Sequence, residues 1–236
     1  MLALLDARAP KECAAWLARI GHTPLCLPPH PALPAPIASH PDMLLFFAPD
    51  AILCTESYAR LAQKELEVIS RAARRPICAI AAEYGAQYPH DVLFNAARVG
   101  NRLFCLPRAT AARILEIPNQ AICPVRQGYA KCSVIPVGEN ALMTADDSIE
   151  RAARAANMDV LRLSKGHIRL DGYDYGFPGG AASCAPYGGT DEILFCGDLS
   201  VHPDALQMRD FCAAHGYRLC DCKDFPPTDV GTIFLI

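Results

Sequence analysis

The chain has 236 residues, of which 52% are hydrophobic and 20% are charged, and its formal net charge is −3. This composition is typical of a globular protein with enough apolar surface for a core, and the length allows one or two domains. The weak charge without a long basic run argues against a nucleic-acid partner, and the lack of an apolar stretch of about 18 residues argues against a membrane span.

Five short apolar segments with strand-like composition recur along the chain at intervals of about 40–50 residues. Each segment begins at a polar residue or at a glycine-rich step. The segments start at Asp42, Asp91, Lys131, Gly180 and Val230. A period of this size predicts an array or a ring built from one supersecondary unit.

Each first strand is followed by a second strand, a helix and a third strand. The predicted second strands are residues 51–55, 102–106, 140–144, 192–196 and the N-terminal 2–5. The predicted helices are residues 10–20, 57–73, 108–115, 148–157 and 203–215. The predicted third strands are residues 24–27, 76–80, 121–124, 159–163 and 217–220.

The repeat predicts a single α/β domain over residues 1–236. One strand–strand–helix–strand unit cannot bury its own apolar face, whereas five in a ring can. The N-terminal strand 2–5 can serve as the second strand of the fifth unit only if it pairs with the segment that starts at Val230. We therefore expect the two chain ends to share one unit. The proline-rich connector 28–36 and the glycine-rich connector 172–189 are then loops within this domain.

The helix at 148–157 has the clearest start signal. Asp147 is placed to cap its free N–H groups, and Glu150 is placed to reach back toward the cap.

The twelve cysteines do not have the pattern of a disulfide scaffold, because most lie inside apolar strand-like segments. The N-terminal residues 1–6 lack the basic start of a signal peptide. We therefore expect free thiols and a cytoplasmic protein. Cys220 and Cys222 give only a weak metal signal, so we expect no metal and no cofactor.

Five motifs together carry a resemblance to a known family. They are His40-Pro-Asp-Met, Tyr88-Pro-His-Asp91 with Asn95, Gln127-Gly-Tyr-Ala-Lys-Cys132-Ser, Thr144-Ala-Asp-Asp-Ser-Ile and Gly172-Tyr-Asp-Tyr-Gly-Phe-Pro-Gly-Gly180. With them, nearly the whole chain resembles an uncharacterised bacterial family of the pentein, or guanidine-modifying-enzyme, fold. The resemblance implies an α/β propeller of five units with pseudo-fivefold symmetry, closed by the chain ends.

In a ring of this type the starts of the five first strands face a central channel. Guanidine-modifying chemistry needs carboxylates that hold a cationic substrate, a proton carrier and a thiolate nucleophile. Asp42, Asp91 and Asn95 fit the substrate-holding role, and the alternative is that the aspartates cap turns. His40 fits general acid and base catalysis, and the alternative is a hydrogen-bonded loop histidine.

Two thiols compete for the role of nucleophile. Cys132 follows Lys131, whose ammonium would lower the pKa of the thiol, although adjacent strand residues point to opposite faces. Cys184 follows a glycine pair at a spacing that resembles the nucleophile segment of guanidine-modifying enzymes. Either thiol could instead be a packed strand cysteine.

The remaining candidates are Lys131, Gly179 and Gly180. Lys131 could act in catalysis or neutralise an anionic substrate. The glycine pair could let a ligand approach backbone N–H groups, or it could form a tight bend.

We therefore predict an enzyme that binds an amine- or guanidine-containing small molecule in the central channel. It would be a Cys-dependent hydrolase or transferase of the amidinohydrolase or amidinotransferase kind. The alternative is a non-catalytic pentein protein that binds a ligand or a protein partner, since one fold hosts unrelated functions.

Overall fold

The protein is described by a computed structural model that covers residues 1–185 and 189–236. The first eight strands are β1 Leu2–Asp6, β2 Thr23–Leu27, β3 Phe46–Phe47, β4 Ile52–Thr55, β5 Ile77–Ile80, β6 Ala97–Val99, β7 Arg102–Cys105 and β8 Ala121–Pro124. The other strands are β9 Val134–Val137, β10 Ala141–Thr144, β11 Asp159–Arg162, β12 Ser183–Cys184, β13 Glu192–Phe195, β14 Arg218–Asp221 and β15 Ile233–Leu235. The helices are α1 Lys11–Arg19, α2 Pro41–Leu44, α3 Glu56–Leu61, α4 Gln63–Ala73, α5 Ala112–Leu115, α6 Asp147–Ala155 and α7 Ala205–Ala214.

Among the described residues, the strands form five small sheets. In the sheets β3-β4-β5, β6-β7-β8 and β9-β10-β11, the first strand is antiparallel to the second, and the second is parallel to the third. A helix connects each of these parallel pairs, as a parallel connection requires. The predicted order of elements within the repeat is therefore present in these sheets.

The two ends of the chain share one sheet, as the sequence predicts. Strand β15 is antiparallel to β1 with Ala3 opposite Leu235, and β1 is parallel to β2. Strand β12 joins this same sheet by pairing in parallel with β15, with Ser183 opposite Ile233. Toward β13 the backbone pairing is an isolated bridge between Ala182, which precedes β12, and Phe195, and the Leu194 N–H donates to Ser183 Oγ at 2.8 Å.

The first strands begin later than the sequence predicts. Asp42 lies in the short helix α2, two residues after the cap His40 and one after Pro41, and β3 begins only at Phe46. Likewise, Asp91 lies in a turn, and β6 begins at Ala97. The polar residues at these steps bond to one another and to loop backbone, which keeps them out of the ladders.

Three helix predictions need correction. The predicted helix 108–115 is reduced to the single turn α5, Ala112–Leu115. The predicted helix 57–73 is divided into α3 and α4 at Ala62. The cap of α6 is Asp146, because its backbone is extended and its carboxylate accepts the N–H groups of Ser148 and Ile149 at 2.8 and 2.9 Å. Glu150 pairs with Arg154 instead of reaching back to the cap.

The first and second strands form the interior of the protein. Strands β4, β6, β7, β9 and β10 consist mainly of buried residues, whereas the third strands β5 and β8 are half-buried or exposed. Each fully buried large apolar side chain contributes about 1.5–3 kcal/mol. The loops that precede the first strands are thereby brought together inside the molecule.

All twelve cysteines are free thiols. Cys26 was expected inside a packed strand, but it is exposed on β2. Within the described residues, no helix has both the length and the apolarity needed to cross a membrane. The predicted connector 172–189 runs in part through residues 186–188, which lie outside the described residues.

Candidate functional site

The side chain of Asn95 joins the loops that precede three first strands. Its Oδ1 accepts the backbone N–H groups of Lys131 and Cys132 at 2.8 and 3.2 Å. Its Nδ2 lies 3.2 Å from Asp42 Oδ1 and 3.1 Å from Cys132 Sγ. Asn95 is buried, so the amide fixes the relative position of Asp42 and Cys132.

The carboxylate of Asp42 receives two further donors through its other oxygen. Thr232 Oγ1 lies 2.8 Å from Oδ2, and the Cys132 thiol lies 3.1 Å from the same oxygen. Thr232 precedes β15 at the end of the chain. The structure thus brings together residues that are up to 190 positions apart in the sequence.

The thiol of Cys132 is held in its protonated form. Burial raises its pKa well above the ordinary value, and the negative charges of Asp42 and Asp229 raise it further. The pKa of this thiol is therefore raised, whereas the sequence predicted that Lys131 would lower it. The Lys131 ammonium donates to Thr232 Oγ1 at 3.1 Å and lies 5.7 Å from the centre of the Phe234 ring.

His40 lies between two buried carboxylates. Its Nε2 is 3.2 Å from Asp6 Oδ2, and its Nδ1 is 3.9 Å from Asp229 Oδ1. Among the described residues, neither ring nitrogen has a partner with hydrogen-bond geometry, although the side chain is only 1% exposed. Gly231 permits this close approach, because it has a φ of +69° and an added Cβ would lie 2.3 Å from His40 Cβ.

The Asp229 carboxylate is fixed by backbone groups. It accepts the N–H groups of Phe177 and Gly231 at 2.9 and 3.0 Å. Burial raises the pKa of Asp229, and the neighbouring His40 opposes that rise.

Asp91 lies at the side of this cluster and contacts Tyr129. Tyr129 Oη donates to Asp91 Oδ2 at 2.6 Å, and Asp91 Oδ1 has no partner among the described residues. Burial and the Asp91 carboxylate raise the pKa of the Tyr129 phenol, so the phenol remains a donor.

A pocket of about 250 Å³ leads from the surface to His40 and Cys132, and we call it the tyrosine pocket. It is lined by Ile37, His40, Met43, Tyr129, Cys132, Leu170, Tyr173, Asp174, Tyr175, Phe177 and Asp229. The ring of Phe177 stacks on Tyr129 with centroids 6.0 Å apart, and it meets Tyr175 edge-on at 6.2 Å. The pocket combines aromatic walls with a carboxylate, a thiol and an imidazole at its inner end.

A second cavity of about 730 Å³ lies at the other ends of the first strands, and we call it the hairpin pocket. Lys131 and Cys184 both line it, together with residues of the hairpins that follow β6 and β9. Burial raises the pKa of the Cys184 thiol, and the Lys131 ammonium opposes that rise. The two candidate thiols therefore belong to different pockets.

Gly179 and Gly180 lie where the chain backbone is tightly packed. A Cβ at Gly179 would lie 2.3 Å from the carbonyl oxygen of Val134, and one at Gly180 would lie 1.9 Å from Asp229 Oδ1. The pair is placed behind the cluster, where it lets Asp229 and the loop before β9 approach each other.

One group of potential metal ligands is present within the described residues. A ring nitrogen of His40, a carboxylate oxygen of Asp42 and Cys132 Sγ all lie within 4.8 Å of one another. The two cysteines considered from the sequence do not form such a group, and Cys222 Sγ instead lies 3.6 Å from Asp224 Oδ2.

Sequence reasoning missed several residues of the site. Thr232 and Asp6 contribute to the cluster but carry no motif of their own. Tyr129, Tyr173 and Tyr175 form walls of the tyrosine pocket. The alternation of aromatic residues at positions 173, 175 and 177 was a usable signal, because a loop built only for turning does not need three aromatic rings.

No curated protein matches the chain in sequence. The fold is similar to that of DDAH from Pseudomonas aeruginosa, which was solved as a mutant complexed with citrulline. The two sequences are 13% identical, and the match covers 94% of this chain and 91% of that chain with a TM-score of 0.54. A dimethylarginine dimethylaminohydrolase adduct with 4-chloro-2-hydroxymethylpyridine gives 10% identity, the same coverage and a TM-score of 0.55. These likenesses show a mixed α/β fold of the pentein type. The family model of a family of unknown function, DUF6873, matches residues 4–234, and the chain belongs to this family.

Proposed function

We propose that the protein is an enzyme that binds a small amine- or guanidine-bearing molecule in the tyrosine pocket and transforms it with the Cys132 thiol. One observation carries this proposal. The Cys132 thiol, the His40 imidazole and the Asp42 carboxylate lie within 4.8 Å of one another, and His40 and Cys132 of this group line a pocket with aromatic walls. Such a spacing is within reach of a hydrogen bond or of one bridging water.

The walls of the tyrosine pocket favour an organic cation. Faces of Tyr129, Tyr173 and Tyr175 attract ammonium and guanidinium groups through the negative charge of their π systems. Asp174 and Asp229 supply carboxylates that can bind a guanidinium by charge-assisted hydrogen bonds. The volume of about 250 Å³ suits a small molecule.

The chemistry begins with a protonated thiol. A bound cation offsets the charges of Asp42 and Asp229, which lowers the pKa of Cys132 and favours transfer of its proton to His40, directly or through Asp42. The thiolate then forms a C–S bond to the guanidinium carbon, and the departing amine takes a proton from His40. Water or an acceptor amine would next break the C–S bond, which gives a hydrolase or a transferase.

The other candidate residues have supporting roles in this proposal. Asn95 positions Asp42 and Cys132, and Asp91 holds Tyr129 in the pocket wall. Lys131, bonded to Thr232, offsets part of the negative charge behind the thiol. Cys184 remains a second candidate nucleophile, and it would serve a ligand in the hairpin pocket.

The tight packing around Gly179 and Gly180 supports a structural role in bringing Asp229 forward. Ligand binding by their backbone N–H groups has less support, because the Gly180 N–H already donates to the Cys132 carbonyl at 2.8 Å.

We also propose that residues 1–236 form a single pentein domain in which five units surround a pseudo-fivefold axis. The repeated strand order of the sheets and the pairing of β15 with β1 support this arrangement. The first strand of the fourth unit, β12, departs from the repeat because it pairs with β15.

A non-catalytic binding protein is the alternative, and one observation favours it. The Cys132 thiol is buried and its pKa is raised, which is the opposite of an activated nucleophile in the free protein. In that case the tyrosine pocket binds the same class of cation without turnover.

A thermal-shift screen with metal-free protein tests the proposal. Agmatine, arginine, citrulline and methylamines are suitable probes, and a ligand at 100 times its dissociation constant stabilises the native state by about 2.7 kcal/mol. The Asp174→Ala variant should lose most of the shift, and Asp50→Ala, which removes an exposed carboxylate outside the pocket lining, should keep it. If no cation raises the melting temperature, or if Asp174→Ala has no effect, the assignment is wrong.

Mass spectrometry of the reaction then separates the two functions. An enzyme releases a modified product, and Cys132→Ser still binds the ligand but forms no product. Binding with no product from the wild-type protein supports the non-catalytic alternative.

A further inference from the structure

Two residues that line the tyrosine pocket, His40 and Cys132, form with the buried Asp42 a set of donor atoms that suits a divalent transition metal. We propose that His40, Asp42 and Cys132 form a binding site for a metal of the Zn²⁺ class, with an open coordination position toward the tyrosine pocket. The three ligand atoms lie within 4.8 Å of one another. Ligands on one tetrahedral zinc lie about 3.3–3.8 Å apart, given bond lengths of about 2.0–2.3 Å, so a small side-chain movement closes the site.

The state of His40 supports a ligand at this position. Its side chain is 1% exposed, and neither ring nitrogen has a hydrogen-bond partner among the described residues. A buried polar group without a partner is costly, and a coordinated metal removes that cost. Asp6 Oδ2 lies 3.2 Å from Nε2, so a small ring rotation would let this carboxylate accept from Nε2 and orient the histidine while Nδ1 binds the metal.

The charge of the cluster also calls for a cation. Asp6, Asp42 and Asp229 are each no more than 4% exposed, and all three lie near His40 or Cys132. Within the part of the chain that the structure describes, the buried Lys131 ammonium reaches this group through Thr232, whose hydroxyl in turn donates to Asp42. The described side chains around His40 and Cys132 include more carboxylates than cations. A divalent cation bound among these carboxylates would compensate the excess negative charge.

The types of ligand select the metal. Thiolate and imidazole favour Zn²⁺ and similar ions, whereas Mg²⁺ and Ca²⁺ prefer oxygen ligands alone. On binding, the Cys132 S–H bond breaks, a sulfur–metal bond forms and the proton is released to solvent. Three protein ligands leave a fourth position for water or a ligand, and the pocket that reaches His40 and Cys132 supplies the entry path.

This inference rests on the same pocket as the proposed function but not on its chemistry. Cys132 cannot serve as a nucleophile while its sulfur is bound to a metal. Metal and organic cation therefore compete, and metal availability would set how much of the protein can bind the organic cation.

Cobalt titration of the reduced, EDTA-treated full-length protein tests the site. Co²⁺ occupies zinc sites, and a bound thiolate gives a sulfur-to-cobalt charge-transfer absorption in the near ultraviolet. We expect this band in the wild-type protein at one Co²⁺ per chain, with displacement by Zn²⁺. Cys132→Ser should remove the band, and the exposed Cys26→Ser should keep it.

The Asp6→Asn variant tests the orienting carboxylate without removing a ligand. We expect its metal affinity to fall by about 10–100-fold, with the charge-transfer band retained at saturation. If the charge-transfer band is weak in Cys132→Ser or Asp6→Asn, equilibrium dialysis against Zn²⁺ followed by elemental analysis measures the metal affinity of that variant.

Absence of a charge-transfer band in the wild-type protein, or an unchanged band in Cys132→Ser, would overturn the metal site. Suppose that the band depends on Cys132 but that none of the organic cations raises the melting temperature. This pair of results supports the metal site and rejects the proposed function. If an organic cation raises the melting temperature but no band depends on Cys132, only the metal site is rejected.

Discussion

Removal of one hydroxyl group, in Tyr129→Phe, probes the wall of the tyrosine pocket. Tyr129 Oη donates to Asp91 Oδ2 at 2.6 Å, and the other Asp91 oxygen has no partner among the described residues. Asp91 is 1% exposed, so solvent barely reaches its carboxylate in the native protein. The variant therefore removes the one side-chain hydrogen bond that this carboxylate makes among the described residues, while the aromatic wall is kept.

The expected cost follows from the charge on the acceptor. A hydrogen bond to a charged group contributes about 1.5–3 kcal/mol, and an unsatisfied buried group costs a similar amount. We expect the free energy of unfolding to fall by about 2–3 kcal/mol. For a chain of this length each kcal/mol lowers the melting temperature by about 2–4 °C, so the midpoint should fall by about 4–12 °C.

Urea unfolding of four proteins measures this cost: the wild type, Tyr129→Phe, Asp91→Asn and the double variant. In the Asp91→Asn background the same hydroxyl bonds to a neutral amide, so its removal should cost only about 0.5–1.5 kcal/mol. Tyr88→Phe is the matched control, because that ring lies 5.6 Å from Tyr129 and its hydroxyl makes an exposed bond of 3.4 Å to the Arg126 carbonyl. Equal costs in both backgrounds, or a cost for Tyr129→Phe no larger than for the control, would refute the reasoning.

Three further predictions concern stability and reactivity. Asn95→Ala leaves two buried N–H groups and a carboxylate short of partners, so we expect it to lose about 3–5 kcal/mol in urea unfolding. Burial lowers the pKa values of His30 and His202, so the folded chain binds fewer protons than the unfolded chain at acidic pH. The free energy of unfolding should therefore be constant above about pH 7.5 and should fall as the pH drops through about 6.5. The fall should be smaller in His202→Asn. Because the pKa of Cys132 is raised, iodoacetamide should label this thiol slowly at neutral pH, and a bound cation should speed the labelling.

Each of these has an outcome that contradicts it. A loss below about 1 kcal/mol for Asn95→Ala would mean that water reaches the vacated site. Unfolding that is equally cooperative and equally stable at pH 5.5 and 7.5 would contradict neutral buried histidines. Site-resolved mass spectrometry that finds Cys132 labelled fastest in the free protein would show an activated thiolate.

The sequence predicted the elements of the fold more accurately than their limits. The second strands and most third strands lie within a residue or two of their predicted positions, because continuous apolar runs bounded by turns record burial directly. The first strands begin late, since Asp42, Asp91 and Lys131 were placed in ladders although their side chains bond across loops. Asp146 displaced Asp147 as the cap of α6 for a similar reason, because the backbone angle and not the residue type decides which aspartate caps.

The sequence by itself determined the repeat, the pairing of the chain ends and a short set of polar residues at the strand starts. These follow from local hydrophobic pattern and spacing. Only the tertiary structure decided what those residues do to one another. It buried Cys132 beside Asp42, and burial and the carboxylate raise the pKa of the thiol, while Lys131 donates to Thr232 instead. The protonation state of the thiol depends on its burial and on its distance from charged residues that are far away in the sequence. Neither can be read from the local sequence pattern.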